Sequence, residues 1–343
     1  MCLCGDRREK YGPVVTLYFG AERVVALFGY ETIKEALIGH GNEFASSGNL
    51  PLFDNVKKGQ GIVFSNGDRW KKLRRFTLTT LRDFGMGKRS NEESIQEEAQ
   101  CLLEKLRDTQ GKPFDPTFLL SCALSNVICA TVFGNQYDYD DKKFLQMMKL
   151  INDAFAILRS PWGQEEQSGT SEFTIDNLLV STVDLFFAGT ESSSSTLRYG
   201  LLILLKYPEV EDIRAHLLMT KLIHLQLIEI LLCSMQGTTV HFVLTSLLHN
   251  NKGFANPQEF DPHHFLNEDG TFKRSDDFMP FSAGKWICVG EGLARAEIFL
   301  FFSTILQNFT LKAVKPREAI DLSPLFSSVG NIPRPYQLCV FPR

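Results

Sequence analysis

Several features that assign a chain to a specialised class of protein are scarce in this sequence. Its 343 residues include eight cysteines, too few and too irregularly spaced for a disulfide framework, which favours a reducing compartment. No Cys-x-x-Cys pair is present, which disfavours a structural zinc site. Neither charge dominates, because 36 Lys and Arg residues oppose 40 Asp and Glu residues. The chain therefore offers no basic footprint for nucleic acid.

Long, uninterrupted hydrophobic runs are also missing. Residues 1–10 lack the apolar core that a secretory signal or an N-terminal membrane anchor needs. The longest charge-free run is Pro116–Tyr137, which is interrupted by Ser121, Asn126 and Asn135. We interpret this run as a buried helix, because its apolar core is short for a bilayer span. The sequence as given therefore predicts no transmembrane anchor.

Apolar and aromatic residues, by contrast, are abundant. Hydrophobic residues make up 44% of the chain, and 28 Phe residues far outnumber 8 Tyr and 3 Trp. This skew suits a dry interior or an apolar ligand pocket better than a polar sugar-binding face. The length is sufficient for one large domain, or two ordinary ones, around a substantial core.

Local patterns predict several elements in chain order. Alternating apolar and β-branched residues over 13–30 predict a β-hairpin. An amphipathic helix is predicted over Asn91–Thr109, a long helix over Asp176–Lys206 and an apolar core helix over Glu291–Asn308. Two short strands are predicted near the C-terminus, over Phe309–Val314 and Tyr336–Phe341.

The turn before the core helix is the most informative segment. Cys288 lies there between Gly284 and Gly290, directly before the helix begins. Backbone N–H groups and the helix N-terminus stabilise a thiolate at such a place, so we expect the pKa of this thiol to be lowered. A thiolate of this kind is a nucleophile or a metal ligand. The alternative is that Cys288 is a small buried hydrophobe, as most free cysteines are.

The arrangement Phe281-x-x-Gly284-x-x-x-Cys288-x-Gly290 resembles the haem-binding loop of the cytochromes P450. In that family the cysteine thiolate is the proximal ligand of the haem iron and favours O–O cleavage. The resemblance implies that Cys288 ligates the iron of haem b and that Phe281 packs beside the sulfur. It also implies that Gly284 makes the tight turn and that Gly290 lets the helix pass close to the porphyrin.

A second block, Ala-Gly-Thr-Glu-Ser at 188–192, places small and polar residues in the middle of the long predicted helix, where helix propensity is modest. It resembles the distal-helix signature of the same family. The resemblance implies that Ala188 and Gly189 make room for dioxygen, and that Glu191 and Ser192 deliver protons to it. Ser192 stands where the family usually has Thr; a serine still donates a hydrogen bond but lacks the methyl group that restricts the rotamer.

A third block, Trp-Lys-Lys-Leu-Arg at 70–74, resembles the Trp-x-x-x-Arg helix of the family. The resemblance implies that Trp70 and Arg74 hydrogen-bond a haem propionate. Trp286 of the haem loop stands where the family carries a basic residue that pairs with a propionate. One acid group therefore loses a partner, and a large indole has to be accommodated.

More widely, residues 9–160, 172–210 and 237–343 resemble the microsomal family 2 P450 enzymes of vertebrates. The resemblance implies a single domain over 1–343 with a cytochrome P450 fold, mainly α with small β-sheets. It implies a monooxygenase for small apolar xenobiotics, odorants or steroids. It further implies NADPH–cytochrome P450 reductase as the electron donor and a location on the cytosolic face of the endoplasmic reticulum membrane.

Two internal stretches depart from this family. The linker 162–171 leads directly to the distal helix and skips the helices that roof the substrate pocket. Residues 211–236 do not resemble the family, although its Glu-x-x-Arg helix region is expected there. The sequence thus predicts an incomplete fold, and the leading hypothesis is a truncated, inactive member encoded by a degenerate gene. Two alternatives stay open: an active haem monooxygenase, and a haem-free fragment that acts only through protein interaction.

Overall fold

The fold is described from a computed structural model, which covers residues 10–19, 22–47, 60–158, 175–210, 230–235, 238–248, 267, 269, 273, 278–325 and 332–343. The helices are α1 (Tyr30–Lys34), α2 (Gly61–Phe64), α3 (Gly67–Asp83), α4 (Arg89–Asp108), α5 (Thr117–Phe133), α6 (Lys142–Leu158), α7 (Ile175–Lys206), α8 (Thr245–Leu248) and α9 (Glu291–Asn308). The strands are β1 (Val14–Phe19), β2 (Glu22–Leu27), β3 (Ser46–Ser47), β4 (Ile230–Met235), β5 (Thr238–Val243), β6 (Phe309–Ala313), β7 (Pro324–Leu325), β8 (Ile332–Pro333) and β9 (Leu338–Pro342). The predicted class, mainly α with small β-sheets, is confirmed.

The largest sheet has five strands in the order β1-β2-β5-β4-β3. The predicted hairpin is confirmed: β1 and β2 are antiparallel, with Val14 opposite Leu27. Strand β5 lies parallel to β2, with Val24 opposite Thr239, although about two hundred residues of chain separate them. Strand β4 comes from the 211–236 stretch that does not resemble the family, yet it pairs with β5 along its whole length. Residues 211–229 of that stretch, and the linker 162–171, lie outside the described residues.

Most of the apolar core lies between α4, α5, α7 and α9. Each helix turns a row of almost fully buried side chains inward: Ile95, Leu102, Leu103, Leu124, Val127, Leu197, Leu201, Ile203, Phe301, Phe302 and Ile305. Each such side chain contributes about 1.5–3 kcal/mol of burial free energy. The predicted buried helix within Pro116–Tyr137 is confirmed as α5, which is buried along residues 122–129. Among the helices that the structure describes, none combines the length and hydrophobicity needed to cross a bilayer.

Buried polar groups join the same helices through hydrogen bonds. Glu98 of α4 accepts hydrogen bonds from the Tyr139 hydroxyl at 2.8 Å and from the Asn126 amide at 3.3 Å. Asn126 also donates to the carbonyl of Tyr137 and accepts from its N–H, at 2.7 and 3.2 Å. Burial raises the pKa of Glu98 to about 7, and these two hydrogen bonds oppose that shift.

Candidate functional site

The cysteine loop, residues 281–290, precedes α9 and contains Cys288 as an exposed residue. The backbone N–H of Cys288 donates to the carbonyl of Phe281 at 2.9 Å, which closes the loop around the short turn Gly284–Trp286. The Phe281 ring lies under the guanidinium group of Arg295, 4.8 Å from ring centroid to guanidinium carbon. Cys288 is an exposed residue, so the alternative that it is a small buried hydrophobe does not hold. Helix α9 begins three residues later, at Glu291.

The two glycines of the loop have different roles. Gly284 has a φ of 64°, and a Cβ there would collide with the carbonyl oxygen of Leu37. Leu37 belongs to the π-helical turn Glu35–Gly39 that continues α1, so Gly284 lets the cysteine loop pack against this turn. Gly290 has an ordinary negative φ, and a Cβ there would lie 3.9 Å from the Cys288 sulfur, a normal contact.

The ionisation of Cys288 differs from the expectation. Cys288 is exposed as a residue, but protein surrounds its sulfur on most sides, and this desolvation raises the pKa of the thiol. Backbone N–H groups of Gly290 and Glu291 and the charge of Arg74 act in the opposite direction, while the Glu291 carboxylate adds to the increase. The predicted lowering of the pKa is therefore wrong, because the desolvation outweighs the helix-terminal hydrogen bonds.

Helix α3 lies against the cysteine loop. The Arg74 guanidinium group donates a hydrogen bond to the carbonyl of Ile287, the residue before the cysteine. The rings of Trp70 and Trp286 are in contact, with centroids 4.8 Å apart and planes tilted by 38°. The Trp286 indole N–H donates to the carbonyl of Phe44 at 2.6 Å. The structure thus brings both predicted residues of α3 to the cysteine loop.

Within α7, the 188–192 block has one exposed edge. Ala188 and Ser192, one turn apart, are exposed, and the Ser192 hydroxyl donates to the Ala188 carbonyl at 2.6 Å. The Glu191 carboxylate accepts a hydrogen bond from the Ser195 hydroxyl at 3.1 Å. Both predicted proton donors are therefore joined to neighbours on their own helix.

The opposite side of this block packs against α5. A Cβ on Gly189 would lie 2.7 Å from Cδ1 of Ile128, so the glycine makes room for that side chain. The neighbouring Thr190 is buried, and its hydroxyl forms a hydrogen bond of 3.0 Å with Ser125. Gly189 therefore serves the contact between two helices.

Sequence reasoning missed a buried acid close to this block. Glu297 of α9 is fully buried and accepts a hydrogen bond from the Ser193 hydroxyl of α7 at 2.8 Å. Its other carboxylate oxygen has no hydrogen-bond partner, and burial raises its pKa to about 8. The sequence signal that could have identified this acid is a glutamate on the apolar side of the predicted core helix Glu291–Asn308.

Comparison with known proteins decides the family. The sequence model of the family described as Cytochrome P450 matches residues 3–165, 164–213 and 235–340, most of the chain. The chain belongs to the cytochrome P450 family. The P450 family implies a haem cofactor and, in general, a reductase as redox partner.

Individual relatives make the assignment more specific. The chain is 44% identical to cytochrome P450 2C29 of Mus musculus, 43% to cytochrome P450 2C25 of Mesocricetus auratus and 42% to cytochrome P450 2C8 of Homo sapiens. Each alignment covers 97% of this chain and 88% of the relative. The predicted microsomal family 2 membership is thereby confirmed. The alignments extend over 431 positions whereas this P450 chain has 343 residues, so the relatives carry internal residues that it lacks.

The side chains at the candidate site of this P450 chain are chemically suited to bind a haem. Cys288 offers a sulfur, the ligand atom that a haem iron accepts, on an exposed residue, and Arg74 places a guanidinium charge close to it. The exposed edge of α7 at Ala188 and Ser192 leaves the distal block accessible as well. In the described part of the chain, no three His, Cys, Asp or Glu residues come together as they would to hold a bare metal ion.

Proposed function

We propose that this chain is a haem-thiolate protein that binds haem b through Cys288 but does not oxidise organic substrates. One observation carries the first half of the proposal. The cysteine loop is held from two sides, by the turn Glu35–Gly39 that meets Gly284 and by Arg74 of α3, while Cys288 is an exposed residue. A loop fixed in this way presents its sulfur to a ligand without first having to fold.

Two parts of the chain, the cysteine loop and Arg74 of α3, would hold the cofactor. Cys288 would hold the iron, with Phe281, Gly284 and Gly290 shaping the loop that carries it. Arg74 uses one of its five N–H donors on the Ile287 carbonyl and keeps others for an acid group of the cofactor. Haem b, when bound, supplies an iron at which dioxygen is activated.

The block 188–192 is poorly arranged to deliver protons. In the family-derived proposal, Ala188 and Gly189 face dioxygen while Glu191 and Ser192 deliver protons. Here the Ser192 hydroxyl proton is directed to the Ala188 carbonyl, and Glu191 accepts from Ser195. The Ser192 hydroxyl would have to break its hydrogen bond within α7 before it donated a proton outward, which favours slow proton delivery.

Internal segments that the relatives have and this chain lacks support the proposal that it is inactive. The family match is divided into segments, two of which meet at residues 164–165, and residues 214–234 are unmatched. Both breaks lie close to the stretches that depart from the family pattern, 162–171 and 211–236. We infer that the pocket-roof helices and the Glu-x-x-Arg helix are lost there, in keeping with a degenerate gene. Oxidation of a small apolar molecule, such as a xenobiotic, odorant or steroid, requires that water be excluded. An incomplete roof does not provide that enclosure.

Family membership also supports a partner and a place in the cell. We infer that NADPH–cytochrome P450 reductase is the reductase this chain would meet, at the cytosolic face of the endoplasmic reticulum membrane. Haem held at an incompletely roofed site would supply dioxygen reduction without keeping an organic substrate apart from water. NADPH consumption that is not coupled to product is therefore the expected behaviour.

The test combines haem loading with turnover. The purified chain and a Cys288→Ala variant are titrated with haem, then supplied with the reductase, NADPH and a panel of apolar substrates. We expect one haem per parent chain, impaired binding in the variant and no oxidised product from either protein. Product that depends on Cys288 would overturn the proposal in favour of an active monooxygenase. A folded parent that takes up no haem would favour the haem-free interaction fragment instead.

A further inference from the structure

The two tryptophans at the cysteine loop form a contact that the family resemblance does not explain. The Trp70 side chain is only 3% exposed, because the Trp286 indole and the Arg74 guanidinium group lie over its ring. The ring centroid of Trp70 is 4.8 Å from that of Trp286 and 5.4 Å from the guanidinium carbon. Packing contacts therefore account for nearly all of the surface of this side chain.

Trp286 is itself fixed on its other side. Its indole N–H donates to the Phe44 carbonyl at 2.6 Å, and the ammonium group of the preceding Lys285 donates to the Asn42 side chain. Trp286 thus connects the segment 42–44 to helix α3, and Cys288 follows two residues later. Stacked aromatic rings and a hydrogen bond to a backbone carbonyl are both favourable contacts that restrict a loop.

We propose that Trp70 is a positioning residue for Cys288, which it holds through Trp286, and not a hydrogen-bond donor to a haem acid group. The inference rests on the proposed haem site and changes the role of one residue within it. Arg74 is then the residue of α3 that donates hydrogen bonds to the haem propionate. Trp286, a departure from the family pattern, becomes the partner that gives Trp70 this role.

The first experiment compares haem b with its dimethyl ester, in which both acid groups are uncharged. Trp70→Phe keeps an aromatic ring against Trp286 but removes the indole N–H. We expect haem affinity to change by less than about twofold in this variant, because no hydrogen bond to an acid group is lost. A hydrogen bond to a charged group changes affinity by about tenfold or more. A tenfold loss for haem with none for the ester would refute the inference.

Trp70→Ala is the matched variant that removes the stack. We expect its affinities for haem and for the ester to fall by the same factor, since the loop that carries Cys288 is no longer held. The thiolate band of the reduced, carbon monoxide-bound protein should weaken in parallel. A selective loss for haem alone would instead indicate a direct contact with the acid group. If this variant does not fold, Trp70→Phe still decides the question.

A second experiment reads the tryptophan pair without any cofactor. Two indoles in contact give an exciton couplet in the far-ultraviolet circular dichroism spectrum. We expect the couplet in the parent chain and in a Trp162→Phe control, and its loss in both Trp70→Phe and Trp286→Phe. A parent without the couplet would contradict the pairing, whereas a parent with the couplet that binds neither haem nor the ester would contradict only the proposed function.

Discussion

Glu297 offers the sharpest test of how the helical core is built. The carboxyl group is fully buried between α7 and α9, and one of its oxygens has no hydrogen-bond partner. Burial raises its pKa from 4.5 to about 8, and the hydrogen bond from Ser193 opposes the shift only in part. The folded protein therefore keeps this proton at neutral pH. The perturbation is Glu297→Gln, which keeps the size and an acceptor oxygen for Ser193 but cannot ionise.

The sign and size of the effect follow from proton linkage. Between pH 4.5 and 8 the unfolded chain releases the Glu297 proton while the folded chain retains it, so the free energy of unfolding decreases as the pH rises. Each pH unit in this window costs about 1.4 kcal/mol, and the whole window about 5 kcal/mol. That is as large as the entire stability of a marginal domain. Below pH 4.5 the contribution no longer changes.

Urea unfolding at a series of pH values is the assay. We expect Glu297→Gln to remove about 1.4 kcal/mol per pH unit from the pH dependence, so that the variant gains on the parent as the pH rises. Glu98→Gln is the matched control, since burial raises the pKa of Glu98 only to about 7. Between pH 7 and 8 only the Glu297 variant should differ from the parent in slope. Equal slopes for parent and Glu297→Gln would refute the reasoning.

Two further substitutions test the packing around the candidate site. Gly284→Ala should destabilise the cysteine loop by about 1–3 kcal/mol or more, because φ is 64° and the new Cβ meets the Leu37 carbonyl; thermal unfolding and haem titration measure this, and unchanged values would contradict the contact. Gly189→Ala should cost at least about 1 kcal/mol less in an Ile128→Val background than alone, because the shorter side chain removes the atom 2.7 Å from the new Cβ. A double-mutant cycle in urea that gives no coupling would exclude that explanation.

Elements with a clear local pattern were predictable from the sequence. The hairpin β1–β2, the helix α9 and the strands β6 and β9 occur where alternation or helical periodicity placed them. Strand β5 was not predictable, because its parallel pairing with β2 joins segments about two hundred residues apart. Local patterns also gave no sign that the 230–235 stretch would enter the same sheet.

Part of the candidate site was also predictable from the sequence, and part was not. The position of Cys288 before an apolar helix and the family motif were both legible in the sequence. The contacts that fix the loop were not, since they come from Leu37, Asn42 and Phe44, which no motif connects to Cys288. The predicted direction of the thiol pKa was wrong because desolvation depends on packing in three dimensions, which a local motif does not report.

The absorption spectrum of the reduced, carbon monoxide-bound protein tests the central claim most directly. If Cys288 ligates haem as a thiolate, the haem-loaded parent shows the red-shifted Soret band of a thiolate-ligated haem. The Cys288→Ala variant, loaded with haem in the same way, lacks that band. A parent spectrum without the red-shifted band, or the same band in the variant, would contradict the claim that this chain is a haem-thiolate protein.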